Sequence, residues 1–268
     1  MNPNPNLNFN VIKGLQILIG DIRACHTRED EAKRVESELD KIRGKFSNNK
    51  VLTGYDKKKY VWKLIYIYIL GYEVDFGHNY AADLITSTKF SEKITGYIAM
   101  SILFKEDSSE ISIMINSIKN DLLNNNPYCQ SMALSLAANL NNKELLKSIE
   151  KETLKYLTNY TEKQPNCIKK ALIVLMKITK YNTTLLDCEK WGPLIIKLAN
   201  FKNYECLLSL CSLTQHILIT EGTSGYEKVA EHLLANILLK MKDTPEEYIY
   251  YHIKCPWLQI KIIKILTL

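Results

Sequence analysis

The chain has 268 residues, 46% hydrophobic and 24% charged, the composition of an ordinary folded protein with a substantial buried interior. Its net charge of +6 permits an acidic partner or an anionic membrane surface and demands neither, while only 10 glycines favour helices over an all-β fold. Seven cysteines, odd in number and without regular spacing, argue against a disulfide framework and for a reducing compartment.

Residues 1–10 alternate Asn and Pro, with no basic region followed by an apolar run. They read as a disordered lead-in, not a secretory signal. No apolar run approaches the roughly 18 residues needed to cross a bilayer. The chain is therefore expected to be cytosolic and soluble, with any membrane contact peripheral. A first helix is predicted over 11–24, with Ile12, Leu15, Leu18, Ile19 and Ile22 at helical spacing and Lys13 and Arg23 off that face. Thr27 and Asp30 resemble a capping box that opens a second helix. Ala32, Val35, Leu39, Ile42 and Phe46 give it a narrow apolar stripe, and Lys41, Arg43, Lys45 and Lys50 collect at its end.

The central helix follows the turn at Gly54. From Tyr60 to Leu70 it is apolar on almost every side, interrupted only by Lys63, so it belongs in a core. Lys57, Lys58 and Lys59 stand at its front edge, where the helix dipole favours acids. A local rule broken without visible compensation points to function. A polyanion relieves the conflict, and a helix start already suits phosphate.

Further helices are predicted over 80–86, 91–104, 110–123, 127–140, 143–157, 165–179, 193–200, 205–219, 226–241 and 256–268. Pro127, Pro165, Pro193 and Pro256 each suit a first helical position. Amphipathic helices with short polar links and no strand-like alternation describe an all-α fold. The architecture is a right-handed α-solenoid of HEAT/armadillo-like helix pairs spanning 11–268, with a period near 40 residues and no sharp internal repeat. The last segment stops on an apolar helix at Leu268, as expected of a fragment of a longer chain.

No catalytic constellation stands out: there is no phosphate-cradling Gly-rich loop, no nucleophile elbow and no His-Glu-x-x-His helix. Cys206, Cys211 and His216 step by five, which turns each about 140° from the last, so they read as core residues and not as metal ligands. Cys25 and His26 are adjacent and read as a surface linker, and His78 as a residue whose hydrogen bond fixes a turn. The lysine run is different. It is bracketed by Tyr55 and Tyr60, with Lys63 one turn beyond Lys59. Its basic residues do not extend into a stripe, so a compact polyphosphate headgroup fits better than nucleic acid.

The motifs Asp21-Ile22-Arg23, Lys41-Ile42-Arg43-Gly44-Lys45-Phe46 and Gly54-Tyr55-Asp56-Lys57-Lys58-Lys59-Tyr60 resemble the N-terminal trunk of the alpha-adaptins. So do Val74-Asp75-Phe76-Gly77-His78, Glu92-Lys93-Ile94-Thr95-Gly96-Tyr97, Ile118-Lys119-Asn120-Asp121-Leu122 and Pro256-Trp257-Leu258-Gln259-Ile260-Lys261. Those proteins are large subunits of the clathrin adaptor complex at the plasma membrane. The match is dense up to Leu123 and sparse through the Asn- and Lys-rich middle.

The resemblance implies a non-enzymatic HEAT-like trunk without cofactor or metal, in a heterotetramer with sigma, beta and mu subunits. It implies clathrin and accessory proteins as partners of the rest of the parent chain, and a place on the inner face of the plasma membrane and in coated pits. It assigns phosphatidylinositol 4,5-bisphosphate to Lys13, Lys45, Lys57, Lys58 and Lys59, with Tyr55 and Lys63 beside them. It assigns to Arg23, together with the sigma subunit, the acidic residue of dileucine cargo signals. Lys13 stands where the family often has Arg, and Asp56 puts a carboxylate inside the cluster where the family has a small polar residue. The alternatives are a large adaptin of an internal-membrane complex and a solenoid that binds soluble peptides, as nuclear transport receptors do.

Overall fold

The computed structural model describes residues 12–48, 51–159, 164–182, 188–222 and 225–268. The expected lead-in over 1–10, Val11 as a helix start, and Lys50 lie outside them. The described residues form thirteen α-helices and fall into two compact units, 1–117 and 118–268. The fold is all-α with a helical-repeat plan, as the periodicity predicts.

In the first unit α1 is Lys13–Arg23, α2 Arg28–Ser47, α3 Gly54–Ile69, α4 His78–Ile85 and α5 Phe90–Leu103. The unit boundary falls within α6, Glu110–Leu123. Thr27 caps α2 as expected, its hydroxyl oxygen accepting from the Asp30 N–H at 3.1 Å. The helix α3 packs against α1, α2, α4 and α5. Val61, Leu64, Ile65 and Ile67 are buried, whereas Tyr68, Ile69 and Leu70 at its far end are exposed. At Gly77, φ is +87° and an added Cβ meets Leu64 Cδ1 at 2.5 Å, so only glycine turns the chain into α4 there. His78 opens α4 and sets its ring edge-on to Phe104, centroids 5.0 Å apart.

The second unit holds α7 (Pro127–Leu140), α8 (Lys143–Thr158), α9 (Pro165–Ile178), α10 (Cys188–Ala199), α11 (Tyr204–Glu221), α12 (Glu227–Lys240) and α13 (Pro256–Leu266). Asn126, Asn142 and Asn203 cap α7, α8 and α11 by accepting backbone N–H groups at 2.9–3.0 Å. Helices α7, α9, α11 and α13 stack in series, with α8 against α9 and α10 against α11 and α12. This is the ladder of a helical repeat. Cys167 Sγ donates to the Pro127 carbonyl, 40 residues back, at 3.4 Å. Cys206 Sγ repeats the contact with the Pro165 carbonyl, 41 residues back, at 3.2 Å. Two of the seven cysteines thus make the same contact where successive repeats stack, while the cysteines as a set keep the irregular spacing read from the sequence.

Two further expectations fail. Pro193 lies inside α10 and not at its start. Residues 249–254, in which no strand was expected, form a small antiparallel hairpin, β1 (Ile249–Tyr250) on β2 (Ile253–Lys254). Its turn residues Tyr251 and His252 have φ of +46° and +64°.

Candidate functional site

The front of α3 is built by residues from four helices. The Thr53 side chain accepts the Asp56 N–H at 3.2 Å, and its hydroxyl donates to Asp56 Oδ2 at 2.7 Å. Gly54 leaves room for a carboxylate from α5: an added Cβ would lie 2.3 Å from Glu92 Oε2. Glu92 is buried and accepts from the Ser87 hydroxyl at 2.7 Å, with Lys89 Nζ at 3.5 Å. Two acids therefore answer the α3 dipole. The expectation of an uncompensated lysine run is overturned. The hydroxyl of Thr53 and then the ammonium of Lys59 hold the Asp56 carboxyl below its ordinary pKa.

Each lysine has its own environment. Lys57 Nζ donates to Asp83 Oδ2 of α4 at 2.8 Å. Lys59 Nζ donates to Asp56 Oδ1 at 2.9 Å and lies 4.4 Å from the centroid of the Tyr60 ring and 5.9 Å from that of Tyr55. Lys58 forms no ion pair among the described residues, nor do the exposed Lys13 and Lys45. Lys63 departs from its expected place. It is buried, and its ammonium is hydrogen-bonded to Glu38 of α2, which Arg34 also binds at 2.9 Å. Lys63 thus faces the interior and not the exposed side of the run.

The packing explains why residues distant in sequence meet. Gly14 of α1 rests on the aliphatic stems of Lys59 and Lys63, with an added Cβ 3.4 and 3.5 Å from them, so the neighbouring Lys13 borders the run. Phe46, next to Lys45, stacks on Tyr80 at 4.0 Å and meets Tyr60 edge-on at 5.8 Å. The Tyr80 hydroxyl donates to the Phe46 carbonyl at 2.9 Å. Lys13, Lys45 and the run therefore share one end of the first unit. Tyr55, half exposed, lies there too.

Arg23 is not part of that cluster. It ends α1, and ten residues of helix set it about 15 Å along the axis from Lys13. It is exposed and forms no ion pair among the described residues; its neighbour Asp21 is bound by Arg34 at 2.9 Å. The local salt bridge that competes with a binding role is absent from this arrangement.

No group of three His, Cys, Asp or Glu side chains among the described residues is placed to hold a metal ion. Burial pushes the Cys206 and Cys211 thiols up to about 12, so neither is a thiolate at neutral pH. His216 Nε2 shares a hydrogen bond of 3.1 Å with Thr179 Oγ1. The sequence reading missed Glu38, Asp83 and Glu92. Arg34 and Glu38 carry an i,i+4 signal, but Asp83 and Glu92 come from other helices and carry none.

Over residues 31–268 the chain matches the family described as the adaptin N terminal region. It is 38% identical over 266 residues to the AP-2 complex subunit alpha-2 of Dictyostelium discoideum, covering 98% of this chain and 27% of that protein. Against the AP-2 complex subunit alpha of Schizosaccharomyces pombe the identity is 36% over 262 residues, covering 96% and 29%. Against the AP-1 complex subunit gamma-1 of Mycosarcoma maydis it is 27% over 260 residues, covering 95% and 28%. The chain spans about a quarter of the length of these curated relatives. Identity is higher to both alpha chains than to the gamma chain. The chain belongs to the adaptin family, in its alpha branch.

Proposed function

We propose that this chain is the trunk of a non-enzymatic clathrin-adaptor large subunit, acting in endocytosis and vesicle-mediated protein transport as a peripheral protein of the inner plasma membrane. In this reading Lys13, Lys45, Lys57, Lys58 and Lys59, with Tyr55, hold the headgroup of phosphatidylinositol 4,5-bisphosphate. Lys63 supports them from within. Arg23, beside a sigma subunit, takes the acidic residue of dileucine signals, through two parallel hydrogen bonds to its carboxylate. Beta and mu chains complete the heterotetramer. Clathrin and accessory proteins engage the remainder of the parent chain.

The observation that supports the lipid assignment is that Gly14 of α1 and Phe46 of α2, the neighbours of Lys13 and Lys45, pack against α3 beside its lysine run, in a chain of the alpha-adaptin branch. Each lysine near an anionic surface contributes about 1 kcal/mol, so the run supplies at most roughly 3 kcal/mol, a factor of about a hundred, less whatever the pairs of Lys57 with Asp83 and Lys59 with Asp56 withhold. That is weak alone, and stable recruitment needs further sites on partner subunits. The test is co-sedimentation of the protein with vesicles carrying this phosphoinositide. Binding that falls with salt and is abolished when Lys57, Lys58 and Lys59 are all changed to Glu supports the assignment. Unchanged binding by that folded variant refutes it.

A further inference from the structure

Two of the clustered lysines are already occupied, and by carboxylates of different origin. Asp56 belongs to the helix that carries Lys59, whereas Asp83 reaches Lys57 from α4, 26 residues away. Lys57 and Lys59 keep only 24% and 22% of their side-chain surface exposed, while Asp83 keeps 56%. The Lys57 ammonium that meets Asp83 lies 5.9 Å from the centroid of the Tyr80 ring, and the Lys59 ammonium lies over Tyr60. Lys58, Lys13 and Lys45 have no such partner among the described residues.

We infer that Asp83 and Asp56 are built-in competitors for the phosphates of the headgroup, so that the cluster divides into three capturing lysines and two guarded ones. An ammonium has three donors, but a phosphate and a carboxylate drawn to the same ammonium repel each other at close range. A phosphomonoester therefore gains Lys57 or Lys59 only by exchanging a pair that the folded protein already makes. An anion that meets one lysine at a time is satisfied by Lys58, Lys13 or Lys45 and gains nothing from the exchange. A ligand with several phosphates on one small ring offers enough charge to complete it. Asp83 is the cleaner of the two competitors, because Asp56 also takes part in capping α3.

This inference rests on the headgroup reading above. The ligand chemistry, clustered phosphomonoesters on an inositol ring, is shared by the lipid and its soluble headgroup. The experiment therefore titrates phosphatidylcholine vesicles carrying phosphatidylinositol 4,5-bisphosphate and, separately, soluble inositol 1,4,5-trisphosphate. The proteins are the wild type, Asp83→Asn, Asp56→Asn, the triple Lys→Glu variant, and Asp107→Asn as a control for net charge. Asp107 is exposed, lies beyond the C-terminal end of α5, and makes no ion pair among the described residues. Asp83→Asn is expected to bind both ligands more tightly than wild type by about fivefold, the most that an exposed ion pair ordinarily contributes. Asp56→Asn should move the same way, by less if the cap weakens, and Asp107→Asn should leave both affinities unchanged.

A gain with vesicles but not with the soluble headgroup would still support the inference and assign the source to the membrane. Equal gains for Asp83→Asn and Asp107→Asn would overturn it, since net charge alone would then explain the change. Unchanged or weaker binding by a folded Asp83→Asn protein would also overturn it, while loss of binding in the triple variant kept the headgroup reading intact. If no protein bound either ligand, both would fall.

Discussion

Packing α2 on α3 takes Glu38 out of water, and burial alone pushes its carboxyl toward the protonated form. The hydrogen bonds and charges of Lys63 and Arg34 outweigh that and hold it below the ordinary carboxylate value. Because the folded pKa lies below the unfolded one, the folded state binds fewer protons. The stabilisation is fully present above the unfolded value of about 4.3 and is lost as pH falls through the folded value. Removing the charge with Glu38→Gln leaves a buried ammonium without its ion and should cost about 3 kcal/mol at neutral pH. In urea denaturation followed from pH 7 to acid, the gap between wild type and variant should close as the solution is acidified. A gap that persists unchanged would place the wild-type stabilisation elsewhere. Lys63→Met should destabilise to a similar degree yet leave headgroup affinity close to wild type in the folded fraction, since its ammonium faces inward. The inward turn of Lys63 was not legible in the sequence. Its partner lies 25 residues earlier on another helix, and spacing along α3 alone puts Lys63 beside Lys59.

At the scale of the elements, glycines separate local preference from packing. Gly44 lies inside α2 with no heavy atom within 4 Å of an added Cβ. Gly44→Ala should therefore stabilise the protein by up to about 1 kcal/mol through helix propensity. Gly54 is also helical, but there an added Cβ drives into the Glu92 carboxylate. Gly54→Ala should instead destabilise by about 1–3 kcal/mol, as a buried carboxylate loses its place. Thermal melts of the two variants check this, and shifts of the same sign would contradict it. Helix positions were legible wherever a capping residue or a first-turn proline marked them, as at Thr27, Pro127, Pro165 and Pro256. The hairpin was not, because Tyr251 and His252 take left-handed turn positions that usually announce themselves with Gly or Asn. Pro193 misled for the opposite reason: a residue that usually opens a helix here lies within one.

For the whole molecule the period near 40 residues was legible as architecture, from amphipathic segments and their links. Its chemical form was not. The thiol-to-carbonyl contacts that recur at 40 and 41 residues join helices two apart in sequence, and no local pattern announces them. The lysine run was likewise legible as a cluster, while Asp83, its carboxylate partner on α4, was not. At this scale the proposed cargo role makes Arg23 half of a site that a second chain would complete. In a reconstituted pair with a sigma subunit, Arg23→Ala should weaken dileucine peptides with an upstream Glu by about 1–3 kcal/mol. Peptides with Ala in that position should be affected hardly at all. Equal losses for both peptides in calorimetric titration would show that Arg23 supports the fold or the subunit contact instead.

Membership of an assembly is the claim on which the lipid and cargo readings both depend. Its most direct test is to tag the protein in its own cells, recover it under mild conditions and identify the chains that come with it in equal amounts. The account predicts one sigma, one beta and one mu chain of the plasma-membrane adaptor, with recovery at the cell surface lost in the Lys57, Lys58 and Lys59 triple-Glu variant. Recovery with the subunits of an internal-membrane adaptor, or with soluble nuclear cargo and no adaptor chain, would contradict it.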